Sequence, residues 1–576
     1  MSIPAGFAAG NSPTPAARAE LEGFVKSIPA VTALATYIML FAPMGADAAE
    51  AAGAGSPSLT TAEIRRLLES DQTTIGGADI LARDVLRQAY SEVDFEPFWT
   101  DSANVGELLQ LIDQATEHGL IPEDYHQQAV RDALPEHLHS TSGPEWAATD
   151  ILLTESLLRY GYHRRFGKIK ANSLDPYINY RRETFNDQQP GTTLRQALSA
   201  PSLEGFIDSV APVGPVYASL QTWLKRFRAI AANGGWPAVP EGPTLRSGDR
   251  DPRILPLRER LTTTGELHAE AVAEPDVFDP ALEQAVKVFQ RHHALEADGI
   301  VGRNTITALN VPVTQRIDQL RLSLERLRWV NQEAADTLVA VNIAGFRAFF
   351  FRDGALVWET RAMVGKTYRQ TPTFRGEMSY LEFNPTWTIP PGILRNDTLP
   401  AIKRDPGYLA SKNIRVLDRQ GNEVDPSTID WSQYSKGIPF TLRQDPGPQN
   451  ALGTVKFIFP NPYFVFLHDT PNPELFERPE RAFSSGCIRI EDPLRLAELI
   501  LDDAEKYPRS TLESIVRSGK IQRINLADQV PVLIVYLTAS IDDDGSLLLY
   551  RDIYDRDAKA LKALDGPVIV DPPPSG

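Results

Sequence analysis

The hydrophobic period of this chain changes once, and that change sets what it can fold into. Before residue 331 apolar residues recur at helical spacing: Ile64, Leu67 and Leu68, then Leu108, Leu111 and Ile112, then Tyr217, Leu220, Leu224 and Phe227. From Thr337 the runs become short and strand-like. Those over 338–343, 348–352 and 355–358 are separated by Gly345 and Asp353-Gly354, and 454–459, 463–468 and 530–537 extend the pattern. The expectation is a multidomain α+β protein, helical in its N-terminal portion and mostly β in its C-terminal domain. At ~100–200 residues per domain, 576 residues hold roughly three to five domains.

Composition narrows the classes. Hydrophobic residues at 42% and charged residues at 23% suit core-forming protein, and exclude both disorder over most of the length and a multi-span membrane protein. A net charge of −17 without a basic tract is wrong for tracking phosphate backbones, so nucleic acid is not an expected partner. Cys487 is the only cysteine. One thiol makes neither an internal disulfide nor a multi-thiolate zinc site, so stability must come from packed cores. The pattern suits an exported protein that keeps one free thiol, and equally one incidental buried cysteine.

Lys26 precedes an apolar stretch over 28–42, and Ala46-Asp47-Ala48 offers a cleavage site before Ala49. Residues 1–48 therefore read as a signal peptide or an anchor. The stretch is short for a span of ~20 residues, which favours a cleaved signal over an inner-membrane anchor. Residues 49–59 are a flexible leader. Residues 60–240 form a helical scaffold domain without a catalytic constellation; its His118, His126, His137, His139 and His163 lack metal-ligand spacing.

After a linker at Pro237, Pro240 and Pro243 comes a compact module over 244–311. In it, Phe278-Asp279-Pro280 opens a helix with Leu282, Ala285, Val286 and Phe289 on its apolar face, Asp298-Gly299 makes a turn, and Gly302 precedes a helix through Ile306 and Leu309. A helix over 316–330 bridges to the β domain at 337–538. The long polar stretch 396–449 is either a lid-like insertion or a decorative subdomain. Residues 539–576 remain as a C-terminal extension.

The chemistry points to one place. Ser484-Ser485-Gly486-Cys487-Ile488-Arg489 holds the thiol, and His468, at the end of the apolar run 463–467, is the only histidine after His293. A thiol with an ordinary pKa of ~8.5 needs a base to become an attacking thiolate, and imidazole suits both that task and the return of the proton to a leaving amine. Gly486 lets the backbone turn sharply and aim N–H groups, that of Cys487 included, at a developing oxyanion. On residue types alone, a small buried cysteine and a satisfied strand-end histidine remain the plainer reading.

The neighbouring residues reverse that balance. His468-Asp469-Thr470-Pro471, a spacer, then Ser-Ser-Gly-Cys-Ile-Arg closely resembles the catalytic signature of the L,D-transpeptidases, in which a His precedes a Ser/Thr-x-Gly-Cys-hydrophobic-Arg segment. Gly365-Lys366, Thr371-Pro372 and the run from Asn384 through Trp387 to Pro391 resemble the strand and substrate-wall segments of the large Gram-negative members. Asp298-Gly299, Gly302 and Thr305 resemble the three-helix peptidoglycan-binding module of cell-wall enzymes, which implies sugar-peptide docking or a retained spacer. The likeness covers roughly 60–537. One departure is Ser485, where many short members carry His; any orienting role of that His would pass to a backbone carbonyl or a serine.

The resemblance implies Cys487 as nucleophile and His468 as general base, then acid. Gly486, Ser484 and Ser485 fall to the oxyanion and to orientation, with Ser484 a candidate to orient the histidine. Arg489 either binds a substrate carboxylate or pairs with Glu491 or Asp492; Trp387 and Tyr463 either wall the donor groove or belong to the core. The implied reaction is acyl transfer from a tetrapeptide stem, with loss of its terminal D-alanine, to a second stem, giving a 3→3 cross-link in the periplasm. Water, a D-amino acid or a lipoprotein are alternative acceptors. The other classes are a non-catalytic wall-binding scaffold and a papain-like protease, the last disfavoured because its Cys would precede its His. No cofactor and no metal is implied. The implied partners are peptidoglycan stem peptides and glycan, other cell-wall synthesis enzymes, and carbapenem-type inhibitors.

Overall fold

The computed structural model describes residues 58–568, apart from 138–142, 183–188, 213, 270–271 and 334. The signal or anchor segment, most of the leader, His139 and the last residues of the chain lie outside the described residues. No helix among those described is long and apolar enough to cross a membrane.

The scaffold begins at helix Leu59–Glu69, where the Thr61 N–H donates to the Ser58 Oγ at 3.1 Å and Ile64, Leu67 and Leu68 turn inward. At its centre runs α1 (Pro144–Phe166), which is buried on nearly every side and so has no single apolar stripe. Its Asp150 carboxylate accepts from the Tyr90 hydroxyl and the Phe98 and Trp99 N–H groups, fastening the chain that crosses it. Helix α2 (Pro215–Ala232) buries Tyr217, Leu220, Leu224 and Phe227.

Helices Ile254–Thr264, Pro280–His292 and Arg303–Leu309 then close around Leu257, Leu261, Leu282, Phe289 and Leu309. Asp279 caps the second, accepting from the Leu282 N–H at 2.8 Å. Gly299 sits at φ +75°, as the turn requires, and the Gln290 amide pins that turn by donating to Asp298 and Thr305.

Helix α3 (Val313–Val330) joins the parts. Leu320 and Leu324 pack with Leu220 and Leu224 of α2, while Leu322 and Trp329 meet Ile169 and Ile178 of the scaffold. Glu325 and Arg328, both fully buried, form the hub. One Glu325 oxygen accepts from the Ile169 N–H (2.7 Å) and the Trp329 indole (2.9 Å), the other from Arg328 (2.7 Å), and Arg328 also donates to the Tyr217 hydroxyl and the His118 carbonyl.

The C-terminal domain is a nine-stranded sheet: β1 (Leu338–Asn342), β2 (Arg347–Arg352), β3 (Ala355–Gly365), β4 (Phe374–Phe383), β5 (Val455–Ile458), β6 (Leu467–His468), β7 (Ala482–Ser484), β8 (Ile488–Ile490) and β9 (Gln522–Val535). Spatial order is β7-β3-β8-β6-β5-β4-β9-β1-β2, and a further pairing of β2 with β3 closes it on itself. Period-2 alternation sends Leu381, Phe383, Val455, Phe457, Leu467, Ile488 and Ile490 into one apolar core, which leaves the residues between them on the outer face.

Between β4 and β5 lies a folded subdomain with its own three strands (Trp387–Thr388, Ile414–Leu417, Thr441–Gln444) and its own core of Ile389, Ile402, Leu409, Val416 and Leu442. After β9 the chain makes the hairpin Ala539–Ile541/Leu547–Leu549 and then α4 (Asp557–Leu564). The hairpin packs on α2 and α3 through Ala539, Leu547 and Leu549, and α4 packs through Ala560 and Leu564 on Leu322 and Trp329.

Removing one partner of the hub leaves a buried charge. Glu325→Ala is therefore expected to cost about 3–5 kcal/mol, read as a large drop in the chemical-denaturation midpoint; a midpoint unchanged from the parent would remove Glu325 from the hub.

Candidate active site

The pairing of β6 with β8 builds the site. These strands run parallel, with Leu467 opposite Ile488 and His468 opposite Arg489, and the Ile488 N–H donates to the Phe466 carbonyl at 3.0 Å. Opposite residues point to the same face, so His468 and Arg489 lie side by side on the outer face, and Cys487 stands one step diagonally from His468 beside Phe466. The register continues across the sheet. His468 faces Lys456 on β5, Lys456 faces Glu382 on β4, and Glu382 faces Arg523 on β9. A row of ionisable groups thus crosses five strands next to the thiol.

His468 is 3% exposed. Its Nδ1 lies 2.5 Å from the Asp469 carbonyl, which can only accept, so the proton sits on Nδ1 and Nε2 keeps its lone pair. Asp469 is itself fixed, its carboxylate accepting from the Thr454 N–H and hydroxyl and from the Thr470 N–H. Burial, reinforced by Arg489 and Lys456, pushes the imidazole down to about 3 against the carbonyls of Asp469 and Leu452. Burial likewise pushes the Cys487 thiol up, opposed by the Phe466 backbone, Lys456 and Arg489.

The turn carrying Cys487 is braced from beneath. Gly486 has φ +119°, the left-handed region where a side chain is strained. The Thr371 hydroxyl donates to the Gly486 carbonyl at 2.8 Å and accepts from the Gly365 N–H at 2.9 Å. A Cβ on Gly365 would run into the Arg369 carbonyl and the Thr371 nitrogen, so that close turn admits glycine alone. Tyr554, from the segment after β9, donates its hydroxyl to the Gly365 carbonyl and accepts from the Thr371 N–H. Gly365 and Thr371 thus support the turn that carries Cys487, and the C-terminal segment takes part in that support.

Several expected site residues have other placements. The Ser484 hydroxyl donates to the Cys487 carbonyl (2.5 Å) and accepts from the Gly486 N–H (3.0 Å). It braces the turn and does not touch the histidine, whose orientation comes from the Asp469 carbonyl. The Gly486 N–H is spent on Ser484, while no partner for the Cys487 N–H is found among the described residues, which leaves the latter as the free donor. Ser485 is exposed and accepts from Arg369 at 2.9 Å.

Arg489 has no ion pair among the described residues. Glu491 is taken by Arg361 and Asp492 by Arg509, and the buried Arg489 Nε is unpartnered. Tyr463 packs its ring on Phe374 and Tyr177 and donates its hydroxyl to the Tyr177 carbonyl, so it joins the scaffold to the sheet. Trp387 packs half-buried against the inserted subdomain's core. Only Leu467–His468 of the run 463–468 is strand, because the Asn461 side chain ties Phe459, Tyr463 and Val465 into a turn and Phe464 takes φ +56°. The Cys487 thiol points at the Phe464 carbonyl, 3.6 Å away.

Sequence reasoning missed Lys456, Arg369 and Tyr554. Lys456 had a signal, since it is the lone charge between apolar Val455 and Phe457 in a strand; the other two are brought in by loops.

The site thus combines a half-buried thiol on a glycine turn, a buried imidazole in the neighbouring strand row and, among the described residues, a backbone N–H without a partner. Residues 336–525 match the L,D-transpeptidase catalytic domain family. Residues 84–224 match a scaffold domain and 250–309 a peptidoglycan binding domain. A Haemophilus influenzae protein named as an L,D-transpeptidase is 34% identical over 269 residues, 46% of this chain and 54% of its own length, so the chain spans about half of that relative. The N-acetylmuramoyl-L-alanine amidase CwlM of Mycobacterium tuberculosis is 40% identical over 80 residues, 13% of this chain and 20% of its own. The solved L,D-transpeptidase of Mycobacterium smegmatis aligns over 35% of this chain and 59% of its own at 12% identity and a TM-score of 0.17, and that likeness carries none of the assignment.

With its imidazole held to about 3, His468 is expected to stay neutral on acidification far below the ordinary histidine value of ~6.5. The check is NMR of ring-labelled histidine; a His468 signal titrating with a midpoint near ~6.5 would contradict the buried placement.

Proposed function

We propose that this chain catalyses L,D-transpeptidation of peptidoglycan outside the cytoplasm, in the periplasm after export. The observation that carries the reading is the β6–β8 register, which sets a thiol and a neutral imidazole on one outer face beside an unspent N–H, in a domain of the L,D-transpeptidase family. His468 takes the proton of the Cys487 thiol, the sulfur attacks the carbonyl of the third residue of a donor stem, and the oxyanion meets the Cys487 N–H. The C–N bond to the terminal D-alanine breaks as His468 delivers a proton to the departing amine. The resulting thioester is attacked by the side-chain amine of a second stem; His468 takes its proton, the thiolate leaves, and a 3→3 cross-link remains. One amide replaces another, so no ATP is consumed. The peptidoglycan binding domain would hold the enzyme to the same polymer, and the unpaired guanidinium of Arg489 suits a stem carboxylate.

Incubation with disaccharide-tetrapeptides tests this by mass spectrometry. Parent protein is expected to give cross-linked dimers and free D-alanine, and Cys487→Ala or His468→Ala to lose about a thousandfold or more of that rate while remaining folded. A trimmed tripeptide in place of the dimer would make water the acceptor, and full activity in Cys487→Ala would end the mechanism. A carbapenem should add its mass to the parent and not to Cys487→Ala.

The inserted subdomain acts as a cap over the donor stem in this reading. Support comes from Arg369, whose Nη1 reaches Asp397 of the insertion at 2.5 Å and the Ser485 hydroxyl at 2.9 Å, linking cap and nucleophile turn. Such a surface pair contributes at most ~1 kcal/mol to stability. Arg369→Ala is therefore expected to raise the donor KM severalfold with little change in melting temperature; an unmoved KM would leave the insertion without that role.

A further inference from the structure

We propose that Lys456 is a positioning residue for the nucleophile, its ammonium supplying the fixed positive charge that favours the ionised form of the Cys487 sulfur. The argument begins with where the side chain goes. Lys456 lies directly between Glu382 on β4 and His468 on β6. Opposed positions in antiparallel strands bring Cβ atoms to about 5 Å, close enough for an ion pair with Glu382. None forms. The ammonium leans the other way, 4.0 Å from the centroid of the Phe466 ring, held by the ring's negative face. Phe466 is the residue opposite Cys487, one position before the Leu467–Ile488 pair. The lysine therefore passes the His468 row and ends in the Cys487 row.

There it is half-buried and, among the described residues, has neither an ion pair nor a hydrogen-bond acceptor. A desolvated ammonium without an anion is costly, and this one stands beside an atom that must become an anion to react. The groups facing it are few: Glu382 from β4, itself opposite Arg523 of β9, then His468 from β6, and Cys487 and Arg489 from the β8 side. Arg369 reaches the same turn through Ser485. Burial lowers Lys456 while Glu382 and Cys487 pull it back, and the thiol, raised by burial, is pulled down by Lys456 and Arg489. The imidazole is positive only while it holds the thiol proton, whereas the ammonium of Lys456 is a standing charge on that face.

The inference takes Cys487 as the nucleophile of the proposed reaction, but its test reads the thiol itself. Because Cys487 is the only cysteine, iodoacetamide alkylation of the full chain followed by mass spectrometry reports that sulfur alone. The rate is measured from acid to alkaline pH for the parent, Lys456→Gln and Lys456→Arg. Lys456→Gln is expected to be alkylated about tenfold more slowly at neutral pH, with the midpoint raised by about one unit and the alkaline plateau unchanged. Lys456→Arg, which keeps the charge, should stay within about twofold of the parent. A plateau that drops with an unmoved midpoint would mean altered packing, and a raised donor KM with unchanged alkylation would mean substrate-carboxylate binding; either overturns the proposal. If the parent shows the shift on Lys456→Gln yet makes no cross-links, the proposed function fails while this inference stands.

Discussion

Everything in the candidate site depends on two residue pairs of parallel β-structure, Leu467 with Ile488 and His468 with Arg489. The side-chain period of a strand is two, so a slip of one residue would send His468 into the core and Leu467 to the surface. The register is fixed from both sides of the sheet. Inward Leu467, Ile488 and Ile490 are buried among Val455, Phe457 and Ala362, so any slip would expose apolar side chains and bury charged ones. Short strands can afford to carry chemistry because the domain around them is closed and cannot repack locally.

The second constraint is electrostatic. Lys456 and Arg489 flank a buried imidazole and a thiol, and among the described residues neither cation forms an ion pair, although Glu382 acts on Lys456 from the next strand and Glu491 and Asp492 follow Arg489 closely in sequence. Two of those acids are engaged elsewhere, Glu491 with Arg361 and Asp492 with Arg509, while Glu382 lies in the register between Lys456 and Arg523. The outcome is a buried histidine and thiol flanked by two cations that form no ion pair among the described residues. Burial opposes ionisation of the sulfur and the cations favour it, so small changes in access to this face have large effects on reactivity.

Support for that face is distributed through the chain. Gly365, Thr371 and Tyr554 come from a strand end, a loop and the segment after the last long strand, and together they hold the Gly486 turn. Helix α3, with the Glu325–Arg328 hub, carries the scaffold, the binding module and the C-terminal hairpin on one axis. The scaffold touches the sheet near the site through Tyr177, Asn179 and Tyr180, which bond Tyr463, Arg375 and Ile534. Tyr463 is a joint, because a tyrosine with both an apolar body and a polar tip suits a seam between two domains.

The sequence by itself determined the class of each region, since hydrophobic period separates helix from strand wherever runs are long. It also singled out Cys487 and His468 as candidates, through the likeness of the residues around them to a family signature and not through residue types alone. Asp279 as a cap, Gly299 at a turn and Gly486 at positive φ follow from local rules that need no partner. What the tertiary structure decided is what each polar group does. Ser484 serves the turn and not the histidine, the Gly486 N–H is spent while, among the described residues, that of Cys487 is free and Arg489 has no ion pair, and the Lys456 ammonium lies over the Phe466 ring. Those outcomes depend on which strands become neighbours and in what register, and that is set by burial of the whole core, which no local stretch of residues encodes.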